Sequence, residues 1–307
     1  RLSDDALDTV VRAAGDAKQL RALDLSRNDI GAQAASGIRA LLSRYDCPLR
    51  ELVLQNADVD DEECRALIGA METNNSLTKL DLAHNLIGQA ESKNTVEPDL
   101  VTGGEAFADM LPVNVKLVSL DLSWNHLQKD SAIAFARALR ENETLRELSL
   151  AYNSFAEDPS AELGLTLCTN KALRSIDLSY NSVTPAACLV LANALRANAD
   201  GALRHLNLDG NQPGRHGSRA LMNALRCAQR PDRAVDITMR NCEMTAEPDA
   251  LFDTGEPSGS YMLDMERPID RTIAAELVRL ASTRDGCAFE RLVHHPPSNA
   301  SKAKMRA

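Results

Sequence analysis

A nine-residue pattern, Leu117-Val-Ser-Leu120-Asp-Leu122-Ser-Trp-Asn125, returns with variation through most of this 307-residue chain. It recurs as Leu20…Asn28, Leu77…Asn85, Leu145…Asn153, Leu173…Asn181 and Leu203…Asn211. Another copy starts at Leu49, and weaker copies start at Ala234, Ser260 and Phe289. The period is roughly 28 residues, with one longer step between Leu77 and Leu117. Self-similarity at this period marks a stacked array, in which no unit buries its apolar face alone and each covers its neighbour.

The unit can be read locally. In Leu120-Asp121-Leu122 the period-2 alternation puts both leucines on one face and the aspartate on the other, which predicts a short strand. Helical patterns follow, as in Ser131–Leu139, Glu62–Ile68 and Pro185–Leu195. Asp130 is the expected N-cap of the first. Thr184-Pro185 and Asp158-Pro159 read as a cap followed by proline in the first turn. A strand, a helix and the next strand within about 28 residues stack as parallel units. A wider ring of helices outside a tighter sheet bends such a stack into a horseshoe. Asn28, Asn85, Asn125, Asn153, Asn181 and Asn211 are expected to form an inward ladder at the strand-to-loop turn. Losing one such buried partner costs about 1–3 kcal/mol. Ala57 and Cys242 interrupt the column.

The template L-x-x-L-x-L-x-x-N-x-L resembles that of the leucine-rich repeat family. Repeats of about 28 residues with a helix in each are similar to its ribonuclease-inhibitor-like class. The resemblance implies an α/β leucine-rich-repeat solenoid, with a parallel sheet on the concave face and helices on the convex face. Residues 1–19 are then the helical half of a truncated upstream repeat, and 20–244 are repeats. Residues 245–295 are degenerate C-terminal capping repeats, and 296–307 a disordered tail. About 12 extra residues fall near 89–103, where an insertion maps to a loop on one edge. Both ends read as cut, as in a fragment of a larger protein.

Composition narrows the function. A formal charge of −10 argues against a general binder of nucleic acid or anionic membranes. No run of 18 apolar residues and no secretory leader is visible in the sequence. The seven cysteines are odd in number and form no CxxC pair, so they read as reduced, small apolar residues of a cytoplasmic protein. Asn74, Asn142 and Asn299 begin glycosylation sequons by pattern, read here as chance.

The positions between the leucines form rows on the sheet, because neighbouring strands lie about 4.8 Å apart. The position after the second leucine reads Asp24, Val53, Asp81, Asp121, Ser149, Asp177, Asn207, Thr238 and Asp264, a mainly acidic stripe. Asp81 and Asp121 are expected side by side, where like charges repel by about 1 kcal/mol even in water. A basic partner surface relieves that repulsion. A second row, Arg21, Arg50, Thr78, Val118, Arg146, Arg174 and Arg204, is expected to screen the stripe. The slot before the ladder asparagine reads Arg27, Asn56, His84, Trp124, Tyr152, Tyr180, Gly210, Asn241 and Arg267. It holds the single tryptophan and two of the four tyrosines in three consecutive repeats. Such residues dominate binding hot spots. They also stack, at about 0.5–1.5 kcal/mol per pair beyond burial.

No P-loop, dinucleotide fingerprint, nucleophile elbow or zinc-ligand spacing is present in the sequence, and no cofactor is expected. His294-His295 stands beside prolines, with no other ligand type close in sequence. The reading is therefore a non-enzymatic interaction scaffold or adaptor. Its partner-binding residues are His84, Trp124, Tyr152, Tyr180, Asp81, Asp121 and Asp177. The resemblance also implies two alternatives, a regulator of a small GTPase in the manner of Ran GTPase-activating proteins and a ligand-sensing domain of an innate-immune-type receptor. The family's axonemal and cytoskeletal adaptors add cytoskeletal or ciliary association to the expected cytoplasmic location.

Overall fold

A computed structural model describes residues 1–94, 100–198, 200–228, 234–242, 260–263, 268–269, 271–272, 275, 293–294 and 303–306. The chain opens with helix α1 (Asp4–Asp16) and then alternates short strands with helices. The strands are β1 (Ala22–Asp24), β2 (Glu51–Val53), β3 (Lys79–Asp81), β4 (Ser119–Asp121), β5 (Glu147–Ser149), β6 (Ser175–Asp177), β7 (His205–Asn207) and β8 (Asp236–Thr238). The helices between them are α2 (Ala32–Leu42), α3 (Asp61–Met71), α4 (Gln89–Ser92), α5 (Gly103–Met110), α6 (Lys129–Ala138), α7 (Glu157–Leu167), α8 (Pro185–Ala197) and α9 (Gly214–Ala228). All eight strands pair in parallel, in chain order. Leu23, Leu52, Leu80, Leu120, Leu148, Ile176, Leu206 and Ile237 occupy one register line. Seven strand spacings make the sheet about 34 Å long.

The core lies between this sheet and the helices and is built mainly of leucine and alanine. Phe107, Phe135 and Phe155 are fully buried. Phe135 meets Phe107 edge-on at 5.8 Å and Phe155 edge-on at 6.4 Å. Cys47, Cys64 and Cys188 are buried, and Cys168 and Cys242 are half-buried. Among the described residues, no helix is long and apolar enough to cross a membrane.

Two columns of asparagine tie each repeat to the one before it. In the first, Asn85 donates to the carbonyls of Leu54 (2.8 Å) and Leu82 (2.9 Å), and its oxygen accepts from Ala57 N–H and Val59 N–H. Asn125 donates to Leu82 and Leu122, Asn153 to Leu122 and Leu150, and Asn211 to Leu178 and Leu208. Asn181 reaches Leu150, and Asn28 donates within its own repeat to Leu25. At the last break in the column, the Cys242 thiol lies 3.1 Å from the Leu208 carbonyl, where an asparagine amide would donate.

The second column stands at the other edge, three residues before the first leucine of a repeat. Asn74, Asn114, Asn142 and Asn170 donate to Leu42, Met71, Leu111 and Leu139, at 2.6–2.7 Å. Their oxygens accept from Leu77, Leu117, Leu145 and Leu173 N–H. Asn198 extends the column to Leu167 and Asn170. The amides of Asn74 and Asn142, the first residues of two of the sequons, are thus buried and bonded to carbonyls in the folded chain. Asn299 lies outside the described residues.

The insertion is structured at both ends. One buried carboxylate, Asp61, accepts from Gly88 (2.8 Å), Ala90 (3.0 Å) and Gly103 (2.7 Å) N–H. It fastens the starts of α4 and α5 to α3. From α4, Glu91 accepts from Asp130 and Ser131 N–H, capping α6 from outside its own repeat. Asp130 is therefore not the N-cap: it sits in the first turn of α6 after Gln128, which makes no side-chain cap bond. Asp158 likewise lies inside α7, whose cap is Ala156. Thr184 caps α8 ahead of Pro185 as its sequence suggests.

The capping box of α3 is sensitive to pH. Asp60 accepts from Glu62 N–H at 2.8 Å, and Glu63 accepts from Asp60 N–H at 3.4 Å. Burial first, and the hydrogen bond and charge of Asp60 next, push the Glu63 carboxyl up to about 7 from an ordinary 4.5. Burial also pushes Asp60 up, but hydrogen bonds from Glu63 and the backbone bring it below its usual value. The folded state thus binds a proton at Glu63 that the unfolded chain releases near 4.5. Stability falls as pH rises from about 4.5 to about 7 and stays lower above. Glu63→Gln keeps the cap and removes the charge. It is expected to abolish this decline and to stabilise the fold by roughly 1 kcal/mol near pH 8, after discounting for the solvent that reaches this half-buried group. Urea unfolding at about pH 5 and about pH 8 checks it; equal slopes in the two proteins would overturn it.

The last weak repeats do not continue the ladder. β9 (Ser260–Leu263), β10 (Val293–His294) and β11 (Ala303–Arg306) form a separate antiparallel sheet in the order β10-β11-β9. Pro268 and Pro297 fill the asparagine slot in the copies that start at Ser260 and Phe289. Proline has neither the side-chain amide nor the N–H that the ladder uses. Among the described residues the parallel sheet has eight strands. A tail expected to be disordered carries a strand at 303–306, where Ala303 and Met305 alternate with Lys304 and Arg306. Residues 245–259, most of 270–281, Asp264 and Arg267 lie outside the described residues.

Candidate functional site

The slot before each ladder asparagine is the edge where the strands end and the loops begin. Its backbone is left-handed in every described repeat: φ is 59° at Arg27, 52° at Asn56, 57° at His84, 57° at Trp124, 53° at Tyr152, 55° at Tyr180, 68° at Gly210 and 55° at Asn241. Side chains other than glycine cost roughly 1–2 kcal/mol there. Two constraints hold them. The slot N–H donates to the next repeat, His84 to Ser123, Trp124 to Ala151, Tyr152 to Ser179 and Tyr180 to Asp209, all at 2.8–2.9 Å. The adjacent asparagine fixes the turn from the other side.

One conformation repeated at strand spacing lays the rings face to face. His84 and Trp124 stack at 5.0 Å and 14°, Trp124 and Tyr152 at 3.8 Å and 12°, and Tyr152 and Tyr180 at 4.3 Å and 12°. Gly210 gives the last ring its room, since a Cβ there would collide with the Tyr180 ring. Asn241 Nδ2 lies 3.5 Å from the Tyr180 hydroxyl. Burial first, and the Tyr180 hydrogen bond next, push the Tyr152 hydroxyl above its usual value, with Asp177 adding to the effect. Stacking does not hide the rings, for Trp124 is 46% and Tyr180 39% exposed.

The sheet face beside the stack presents alternate strand residues. Asp81 and Asp121 are register partners. Burial first, and the Asp121 charge among the other causes, hold the Asp81 carboxyl above its ordinary range. Asp177 stands two strands further on and accepts from Asn207 Nδ2 at 3.0 Å. Each carboxylate also serves its own turn: Asp24, Asp81, Asp121 and Asp177 accept from Ser26, Ala83, Ser123 and Ser179 N–H. For Asp24, the Ser26 hydroxyl and N–H lower the carboxyl.

The arginine row makes no ion pair with this stripe among the described residues. Arg21, Arg50 and Arg204 turn to carbonyls at the strand entry, those of Pro48, Ser76 and Ala202 among them. A row that the sequence reading passed over shares the face instead: Ala22, Glu51, Lys79, Ser119, Glu147, Ser175, His205 and Asp236. Its signal was the same alternation, two residues before each aspartate slot. Lys79 pairs with Glu51 at 2.6 Å, and that bond raises the Lys79 ammonium. His205 faces Asp236 at 3.6 Å. Among the described residues, no group of histidines, cysteines and carboxylates has the arrangement of a metal site.

Comparison with known proteins follows the repeats. The Leucine Rich repeat family profile matches residues 18–38, 73–89 and 113–136. Ribonuclease inhibitor from Mus musculus is 35% identical over 71 residues, which are 23% of this chain and 16% of that protein. NACHT, LRR and PYD domains-containing protein 5 from Mus musculus is 31% identical over 70 residues, 23% of this chain and 6% of that protein. The chain thus spans a small part of the length of these relatives. Among solved structures, leiomodin-1 actin-binding site 2 aligns with a TM-score of 0.38 at 16% identity, covering 65% of this chain and 91% of that one. The tropomodulin C-terminal domain of Caenorhabditis elegans aligns with a TM-score of 0.37 at 14% identity, covering 58% and 96%.

Proposed function

Because this chain is a leucine-rich repeat protein of the ribonuclease-inhibitor-like class, we propose that it is a non-catalytic protein–protein interaction module that holds its partner on the concave sheet and the aromatic edge. The observation that carries this reading is the exposed stack of His84, Trp124, Tyr152 and Tyr180. Rings already stacked have little rotamer freedom left to lose on binding. Tryptophan and tyrosine in such positions contribute roughly 2 kcal/mol or more each at binding hot spots. Asp81, Asp121 and Asp177 border the stack and supply polar specificity. Each has one oxygen committed to a turn N–H on an open face, which suits recognition better than acid–base chemistry. The reading has a cytoplasmic protein partner, with no cofactor.

Asparagine is the apt replacement at the edge, since Asn56 and Asn241 hold the same left-handed backbone. The double variant W124N/Y152N is expected to lose the protein partners that wild type retains in affinity capture, while its melting temperature shifts by only a few degrees. Retained capture with a collapsed melting transition would assign the stack to stability and overturn the reading.

A further inference from the structure

Resting on that reading, we propose that the partner segment seated on the concave sheet is a basic amphipathic α-helix lying across β1 to β6, its lysine or arginine row over the carboxylates and its apolar flank against the aromatic stack. Each of these six strands presents one carboxylate to the face: Asp24, Glu51, Asp81, Asp121, Glu147 and Asp177. In the same two rows over these strands the one cation is Lys79, already held by Glu51. Along the stacking direction the carboxylates therefore advance by about 4.8 Å per strand over about 24 Å, with Glu51 and Glu147 set back in the neighbouring row, about 6.6–6.8 Å from the aspartate row. Neighbouring side chains on one helix face are about 5–6 Å apart, and about 16 helical residues span that length. Same-face residues of an extended strand are about 6.6–6.8 Å apart and drift out of phase within a few repeats. The face is unpartnered, and Asp81 and Asp121 repel each other across adjacent strands, which an incoming cation relieves. The rings run in the same direction at spacings of 5.0, 3.8 and 4.3 Å and give the helix an apolar rail along one side.

Trp124 is the single tryptophan, so its fluorescence reads the site directly. The probe is a synthetic helix of about five turns, with lysine at i, i+4, i+7 and i+11 and leucine on the flank. A peptide of the same composition with scattered lysines and a glutamate-for-lysine peptide are the comparators. The protein variant D81N/D121N/E147Q removes three charges and leaves the turns intact, because Asn207 already fills this slot and accepts Asp209 N–H. The basic helix is expected to change Trp124 fluorescence. Its affinity should fall roughly 10-fold in the charge variant, and roughly 10-fold between about 50 and 500 mM salt. Equal binding of the scattered peptide, unchanged affinity in the charge variant or at high salt, or no response to the basic helix would each overturn the inference. A response to the glutamate peptide alone would overturn it while leaving the aromatic edge as a binding site. That broader reading stands or falls separately, on capture by W124N/Y152N.

Discussion

Phe135→Ala is expected to destabilise the fold by about 3–5 kcal/mol, among the largest losses available to a single side chain here. Phe135 is fully buried in α6, edge-on to Phe107 of α5 and to Phe155 just ahead of α7. Removing the ring opens a cavity at the junction of three repeats and breaks two aromatic pairs, each contributing about 0.5–1.5 kcal/mol beyond burial. In an array where each unit touches only its neighbours, that loss divides the molecule at its middle. Denaturant unfolding should show a lower midpoint and a broadened or split transition. Phe135→Leu, which refills much of the space, should recover most of the loss. A drop below about 1 kcal/mol in the alanine variant would mean the junction collapses around the gap.

Asp61→Ala should have an effect of similar size through a different mechanism. It leaves the N–H groups of Gly88, Ala90 and Gly103 without their carboxylate, two of them in a buried setting. Hydrogen bonds to a charged group are worth about 1.5–3 kcal/mol each, and stranded donors add a desolvation penalty. Since such terms are not additive, the expected loss is about 3–5 kcal/mol. Amide exchange should accelerate first at Gly88, Ala90 and Gly103, and next at α6, which relies on Glu91 from the inserted segment. Asp61→Asn discriminates the cause, because its amide nitrogen would confront at least one of these donors. An asparagine variant as stable as wild type would show that the negative charge is dispensable.

These two residues illustrate what the sequence displays and what it conceals. The eight strands sit where leucine alternation places them, because a pattern repeated at fixed spacing needs no knowledge of distant contacts. Asp61 left no local trace: its partners lie 27, 29 and 42 residues away. The second asparagine column was legible as N-x-x-L at Asn74, Asn114, Asn142 and Asn170, but two of its members coincide with sequons. At the edge, the spacing brought His84, Trp124, Tyr152 and Tyr180 into one line. The left-handed backbone was hidden, because aromatic residues rarely adopt it. Gly210, Asn56 and Asn241 in the same slot were its hints. Arg21, Arg50 and Arg204 do not pair with the stripe, because strand-entry carbonyls compete for their guanidinium groups and a formal charge pattern does not record them.

The left-handed edge slot separates what can vary from what cannot. Arginine, asparagine, histidine, tryptophan, tyrosine and glycine all occupy it here at nearly the same φ, between 52° and 68°. The frame around it is set by buried leucines and by two files of asparagine bonded to the backbone. Except at Gly210, where an added Cβ would meet the Tyr180 ring, a single codon change at one rung therefore rewrites one letter of the displayed text while the page stays flat. Duplicating a repeat adds a new letter in register with the last. Such a surface can acquire a new partner by steps that never pass through a misfolded intermediate, and its recognition can drift rung by rung while its architecture is inherited intact.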